Sequence, residues 1–324
     1  MLSGTVIYST FSSDAIRQQI LPHYHLGKSV ECRLYNRGLN DTYLVSASER
    51  QFALRLYRSR WRTREAVTGE LAALLHLGKK GIPLATPIAR SDGELVTDVA
   101  APEGPRQAVL FHWVKGEEPR YMNATHAQLY GSVAARLHVA GDDLPSSGAR
   151  IPLDLDYLLN RPLESLRPAL RPHPSLAARF DALMDRVRAR VEGAQERLWD
   201  WGFCHGDLHG GNAHVDGESL ALYDFDCCGP GWRVYDLATY RWAARLRRVE
   251  EQAWSPFIAA YLQIRPAAAS TVDLVPLFII LRHVWLQGYF AWNSAEAGVG
   301  FQSATYFEQL VTFCERLESE QSNQ

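Results

Sequence analysis

The sequence predicts an α+β protein in two lobes: a β-rich N-terminal lobe with one long helix (residues 1–113) and a larger, helical C-terminal lobe (residues 114–324). Three observations carry this. Apolar runs of strand period, separated by turn residues, fill the first third at 30–35, 42–47 and 51–57. From Asn123 onward, apolar residues recur at helical spacing in one segment after another. The chain has 324 residues, enough for one large domain or two smaller ones, and its 47% hydrophobic and 22% charged residues are those of a globular chain with a sizeable core.

In order, Ser13-Asp14 caps a short helix running to Leu21. Residues 30–35 alternate, and Asn36-Arg37-Gly38-Leu39-Asn40-Asp41 is turn chemistry. Residues 42–47 are rich in β-formers, and 51–57 alternate again as Q-F-A-L-R-L-Y, which predicts an antiparallel meander. Over 62–80, Ala66, Leu71, Leu74, Leu75 and Leu77 share one helix face, with Lys79-Lys80-Gly81 as the stop. Prolines extend 82–90. Asp92-Gly93 signals a hairpin between Ala89 and Val96, and 108–114, A-V-L-F-H-W-V, reads as a buried strand. Helices are expected at 123–139, 174–199, 235–249, 254–264, 272–292 and 305–318, with the nearest approach to a linker at 141–150.

The formal net charge of −2 gives no global positive field, so neither nucleic acid nor an anionic membrane is an expected partner. No apolar run approaches the roughly 20 residues of a bilayer span, and the N-terminus lacks secretory-signal character. Five cysteines without C-x-x-C spacing, two of them adjacent (Cys227 and Cys228), fit reduced thiols in a cytoplasmic protein.

The chemistry concentrates at 205–226, H-G-D-L-H-G-G-N-A-H-V-D-G-E-S-L-A-L-Y-D-F-D. Two short apolar runs, 201–204 and 220–223, each end at acidic residues. Asp207 precedes Asn212 by five positions, and Asp224 follows twelve later. Protein kinases place a catalytic aspartate, a metal-binding asparagine and a metal-binding aspartate in that order. Asp207 suits a base or an orienting carboxylate for a hydroxyl. Asn212 and Asp224 suit Mg²⁺, a hard cation that takes oxygen ligands. Gly210 and Gly211 relieve a tight loop. Singly, each aspartate would read as a solvated turn residue; the spaced set reads as a phosphoryl-transfer site. His205, His209 and His214 do not read as a zinc site, because the glycines among them rule out the helix that would bring ligands four apart together.

Together, H-G-D-L-H-G-G-N, Y-D-F-D and the later Y-D-L-A (235–238) resemble the aminoglycoside phosphotransferase-like family, over about residues 30–289. The resemblance implies a bilobal protein-kinase-like fold. Residues 1–113 would be the nucleotide-binding lobe ending in the hinge strand, and 114–324 would carry the catalytic loop and acceptor site. It implies transfer of the γ-phosphoryl of ATP or GTP, with Mg²⁺, to a hydroxyl of a small molecule such as an aminoglycoside, amino alcohol, homoserine or sugar. Arg55 takes the position of the phosphate-binding lysine; Glu70 would be its partner, with Glu65 competing. Residues 36–42 would cover the phosphates, and Phe111, His112 and Trp113 would flank adenine. His209 would stand beside the phosphate, and Asp236 would brace the catalytic loop. Trp285, Tyr289, Phe290 and Trp292, near Glu296, are acceptor candidates favouring a cation; Arg241, Arg245, Arg247 and Arg248 point to an anion or a solvated face. The alternatives are a Ser/Thr protein kinase of the bacterial stress-response type, disfavoured by the short span from Asp226 to Tyr235, and a pseudokinase, suggested by Arg55.

Overall fold

The computed structural model of the protein describes residues 4–120, 123–145 and 150–322; of the expected linker, 146–149 lie outside the described residues. The chain divides into two compact units. One comprises Met1–Glu117, Leu144–Arg150 and Ala221–Asp226; the other comprises Glu118–Asp143, Ile151–Leu220 and Cys227–Gln324. Residues 221–226, late in the sequence, therefore pack with the first unit.

The first unit holds α1 (Ser13–Gln19), β1 (Val30–Arg37), β2 (Asp41–Ala47), β3 (Arg50–Leu56), α2 (Arg64–Lys79), β4 (Thr97–Ala101) and β5 (Gly104–His112). The strands form one antiparallel sheet in the order β1-β2-β3-β5-β4. Alternation in β2 and β3 puts Tyr43, Val45, Phe52, Leu54 and Leu56 in a cluster with Ile16, Ile20, Leu21 and Tyr24 from the α1 region. The Thr63 hydroxyl caps α2 by accepting from the Ala66 N–H at 3.2 Å, and its buried face presents Val67, Leu71, Leu74 and Leu77. Each such leucine, once buried, contributes about 2 kcal/mol. Arg55, next to last in β3, pairs with Thr42 on one side and Val109 on the other. The Ala85 N–H donates to Leu222 O, and the Leu222 N–H to Pro83 O, both at 2.9 Å, which ties the 221–226 segment to this unit.

The expected hairpin at Asp92-Gly93 is corrected. A turn does form there, with Gly93 at φ +89°, but its flanks are not paired strands. The hairpin lies further on, between β4 and β5, where Pro102 and Pro105 hide the strand signal.

The second unit is helical: α3 (Ala124–Ala140), α4 (Arg161–Leu170), α5 (Pro174–Gly193), α6 (Val234–Leu246), α7 (Glu250–Ile264), α8 (Val275–Trp292), the short α9 (Ser294–Ala297) and α10 (Ala304–Ser322). Short strands β6 (Trp201–Cys204), β7 (Ala213–Asp216) and β9 (Gly229–Trp232) intervene, and β6 pairs with β9; β8 (Ser219–Leu222) starts in this unit and ends in the 221–226 segment. Helices α3 and α7 pack in close contact: a Cβ on Gly131 would stand 2.1 Å from Phe257 O. Helix α4 escapes the sequence reading because Pro162 opens it and Pro168 sits inside it, yet Leu163, Leu166 and Leu170 are buried. Helix α5 stops at Gly193, short of Trp199.

Helix α8 packs against α4, α6 and α10. With the turn before it, Pro266–Trp292 is long and apolar enough to cross a membrane, contrary to the expectation that no such run exists; 67% of its apolar window is buried inside the protein, as in a core helix.

Candidate active site

In the second unit, β6 delivers the chain to His205 and the loop 205–212 follows. Gly206 adopts φ +80°, and a Cβ there would lie 2.1 Å from Cys227 O, so the turn admits only glycine. Asp236, in the first turn of α6, accepts from the His205 N–H (2.7 Å) and the Gly206 N–H (2.8 Å). Its carboxylate also pairs with His138 Nε2 at 3.0 Å, and His138 Nδ1 pairs with the Tyr261 hydroxyl at 2.7 Å. Burial holds the His138 ring below its usual pKa, against the pull of Asp236, which fits a neutral ring with its proton on Nε2. His138, Cys204 and Asp236 sit at metal-ligand spacing, but both ring nitrogens and both carboxylate oxygens are engaged in these hydrogen bonds.

Within the loop, the Asn212 amide Nδ2 donates to Asp207 O (2.9 Å) and Asp207 Oδ2 (3.1 Å). That orientation leaves the Asn212 Oδ1 to act as a hard oxygen ligand. His209 Nδ1 accepts from the Gly211 N–H at 3.0 Å, and its Nε2 lies 3.4 Å from Asp207 Oδ2. The Tyr130 hydroxyl holds His209 O at 2.8 Å. Arg282 of α8 donates from NH2 to Asp207 Oδ1 at 2.5 Å. Burial raises the Asp207 carboxyl, but the Arg282 guanidinium, and then His209, hold it well below the ordinary carboxylate range.

In the first unit, the Arg55 guanidinium spans two carboxylates: NH1 donates to Glu70 Oε1 at 3.2 Å, and NH2 stands 3.0 Å from Asp224 Oδ1. The Tyr57 hydroxyl donates to Glu70 Oε2 at 2.9 Å. Burial pushes the Glu70 carboxyl up, to about 7, against the pull of Arg55. Glu65 is solvent-exposed on α2, whereas Glu70 is buried beside Arg55. Asp224 is a non-glycine residue at φ +64°, a left-handed conformation that costs about 1 kcal/mol or more and is held by its surroundings. Asp226 is a brace: its Oδ2 accepts from Asn40 Nδ2 (2.8 Å) and Trp61 Nε1 (3.1 Å), and its carbonyl from Arg62 Nε (2.6 Å). Arg58 secures the turn between β1 and β2 by donating to the carbonyls of Leu39 (2.8 Å) and Gly38 (3.1 Å).

Phe111 is buried in β5, with the Arg55 guanidinium 5.2 Å from its ring centroid. The His112 N–H donates to Thr86 O at 2.9 Å, and Trp113 packs edge-on against Tyr35 at 5.1 Å. Of the acceptor candidates, Trp285 faces the interior beside Tyr157, Phe290 stacks on Phe301 at 4.5 Å, and Trp292 is largely exposed. Arg241 and Arg245 bind Glu250, and Arg247 binds Glu118, so these arginines belong to an ion-paired face. Cys227 and Cys228 are buried. Sequence reasoning missed Arg282, His138, Asn40, Trp61 and Arg62. Only Arg282 left a signal: it is the one charged residue in an apolar helix.

Residues 32–269 match the phosphotransferase enzyme family, and the chain belongs to it. It is 40% identical to an uncharacterized protein of Deinococcus radiodurans, over 86% of this chain and 82% of that one. It is 28% identical to the homoserine kinase of Rhodopseudomonas palustris, over 72% and 68%. The structure of a microcompartment-associated aminopropanol kinase superposes with a TM-score of 0.76 at 26% identity, covering 95% of this chain and 98% of that one. An amicoumacin kinase solved with AMP-PNP, Ca²⁺ and its antibiotic shares the fold, with a TM-score of 0.75 at 20% identity over 96% and 94%. The fold is kinase-like, as the sequence resemblance implied, and the protein is a small-molecule kinase acting on a hydroxyl acceptor. The protein-kinase alternative is not favoured.

Proposed function

We propose that the protein transfers the γ-phosphoryl group of ATP to the hydroxyl of a small amino alcohol. The observation that carries this is the Asp207–Asn212 pair. One amide locks the aspartate through its backbone and side-chain oxygens, and the asparagine's own oxygen stays available. In phosphoryl transfer the protein mainly positions groups and neutralises charge, and this arrangement is suited to that. The Arg282 guanidinium and His209 favour the ionised Asp207 carboxylate, which can orient the acceptor hydroxyl or accept its proton. Asn212 and Asp224 would hold Mg²⁺, which neutralises phosphate charge when bound. Both are hard oxygen donors, which fits that ion.

Arg55, fixed by Glu70, would meet the nucleotide phosphates. Its planar fork supplies two N–H directions where a lysine would supply a point charge. Phe111, His112 and Trp113 would border the base, and His209 would stand by the transferred phosphate. We keep the functional boundary at the end of the hinge strand, 113/114, with the acceptor handled by the second part. A small amino alcohol is favoured because relatives named for aminopropanol and homoserine cover most of this chain. Five free thiols fit a cytoplasmic setting.

The test is ADP release from Mg-ATP, and separately Mg-GTP, across 1-amino-2-propanol, ethanolamine, choline, homoserine and aminoglycosides. The expected result is Mg²⁺-dependent ADP release stimulated by an amino alcohol. Stimulation by a protein substrate alone, or no nucleotide turnover with any acceptor, would overturn the reading.

A further inference from the structure

We propose that Arg282 is the positioning residue of the transfer site: clamped between two indoles, it fixes the orientation of the Asp207 carboxylate for the acceptor hydroxyl. This rests on reading Asp207 as the group that meets the acceptor.

Among residues 275–292, Arg282 is the sole Asp, Glu, Lys or Arg, in the run V-P-L-F-I-I-L-R-H-V-W-L. It is 3% exposed. Placing a guanidinium there is costly, and a well-packed apolar side chain would serve α8 at least as well if packing were its only task. Four contacts keep the charge in place, one of them with the Tyr235 hydroxyl. Its carbon lies 4.8 Å from the Trp242 ring centroid and 5.1 Å from that of Trp285, and NH2 donates to Asp207 Oδ1 at 2.5 Å. The indoles define where the guanidinium sits, and the guanidinium defines where Oδ1 sits.

The other carboxylate oxygen is held from the opposite direction. Oδ2 accepts from Asn212 Nδ2 at 3.1 Å, with His209 Nε2 at 3.4 Å. The terminal torsion of an aspartate is otherwise broad, so one anchor leaves the carboxylate plane free to swing. Two anchors from separate elements, the loop and α8, remove that freedom. In-line transfer is sensitive to such placement, and a misplacement of about 1 Å can cost about 100-fold. Asn212 provides the local anchor within the loop; Arg282 provides the remote one, 75 positions along the chain from Asp207.

The test compares Arg282→Ala, Arg282→Lys and Arg282→Met with the wild type in the full-length protein. The assay is ADP release from Mg-ATP with 1-amino-2-propanol and with water as acceptor, alongside binding of a fluorescent ATP analogue. In Arg282→Ala, kcat should fall about 100-fold with nucleotide affinity within about twofold of wild type. Arg282→Lys, which restores the charge without the planar fork, should be intermediate. Millimolar guanidinium should restore Arg282→Ala at least tenfold, which a purely structural role would not allow. Adding Arg282→Ala to Asp207→Asn should cost nothing further. Should the alanine variant fail to fold, Arg282→Met keeps the helix packed and must still lose turnover. Wild-type turnover in Arg282→Met, a loss confined to nucleotide affinity, or full additivity with Asp207→Asn would overturn the proposal. If Asp207→Asn itself turned over like the wild type, the reading of Asp207 would fail first, and the proposal with it.

Discussion

An arginine in each unit closes on a carboxylate of the 205–226 stretch, and the two are built differently. Arg55 lies in the middle of a sheet and spreads its fork over Glu70 and Asp224, with Tyr57 completing the Glu70 side. Arg282 lies in the middle of an apolar helix, with one carboxylate, the Tyr235 hydroxyl and two indoles around it. Arg55 thus balances a carboxylate of α2 against one of the motif, and altering it disturbs both. Arg282 serves a single carboxylate. Two buried arginines of equal charge should therefore fail in different ways: Arg55 through nucleotide affinity and stability, Arg282 through turnover.

The largest effect should come from the carboxylate that Arg282 serves. Asp207→Asn is expected to lower ADP release by about 1,000-fold. It should also cost about 3 kcal/mol in urea unfolding, because it leaves a buried guanidinium without its counter-charge. A stable but inactive variant would show that the indoles and the Tyr235 hydroxyl can hold Arg282, which would weaken the contrast with Arg55.

Next is Arg55→Met, which strands Glu70 beside Asp224. A stability loss of about 2 kcal/mol is expected, less than for a fully buried pair because Asp224 is partly exposed. Arg55→Lys should recover most of the stability while raising the KM for ATP about tenfold, since an ammonium cannot span both carboxylates. If instead Arg55→Lys lowered kcat with KM unchanged, the division of labour between the arginines would be wrong.

A third effect depends on pH. His283, next to Arg282, accepts from the Trp242 indole N–H at 3.2 Å. Burial, then the Arg282 charge, depress its ring pKa to about 4. With an unfolded value near 6.5, the contribution of His283 to stability is complete above that pH. It is lost as pH falls from about 6.5 towards 4, where the unfolded chain takes the proton first, and the limit is about 3 kcal/mol. His283→Phe should flatten this acid limb in a pH series of melting temperatures, leaving the contribution that His138 makes in the same direction. Arg282→Met should shrink the limb, whereas Arg55→Met should act through Glu70, whose raised carboxyl contributes stability with the opposite sign, lost as pH rises through about 7.

The smallest effects concern the brace of Asp226. Asn40→Ala or Trp61→Phe should each cost about 1 kcal/mol and leave turnover nearly intact. A large loss of turnover would give Asp226 a direct role.

The same contrast explains what could be read from sequence. Arg55 lies in an alternating strand, and Glu70 falls on the buried face of a helix whose period is plain, so both were legible, as was the Asp207, Asn212, Asp224 spacing within one short stretch. Arg282 was not. Its role depends on a contact 75 residues away that no local pattern encodes. Asn40 and Trp61 share that difficulty, since both meet Asp226 across more than 160 residues. In the fold, the meander and most helices followed from periodicity. Helix α4 and strand β4 were hidden by prolines at or near their ends, and β9, Gly-Pro-Gly-Trp, has the composition of a turn and is a strand only because β6 lies beside it.

The most direct test of the whole account is ³¹P NMR of Mg-ATP with the best acceptor from the amino-alcohol panel, run for the wild type and Asp207→Asn. The account predicts a new phosphomonoester signal growing in step with ADP in the wild type and absent in the variant. ADP with inorganic phosphate only, or the same phosphomonoester at the same rate in both proteins, would contradict it.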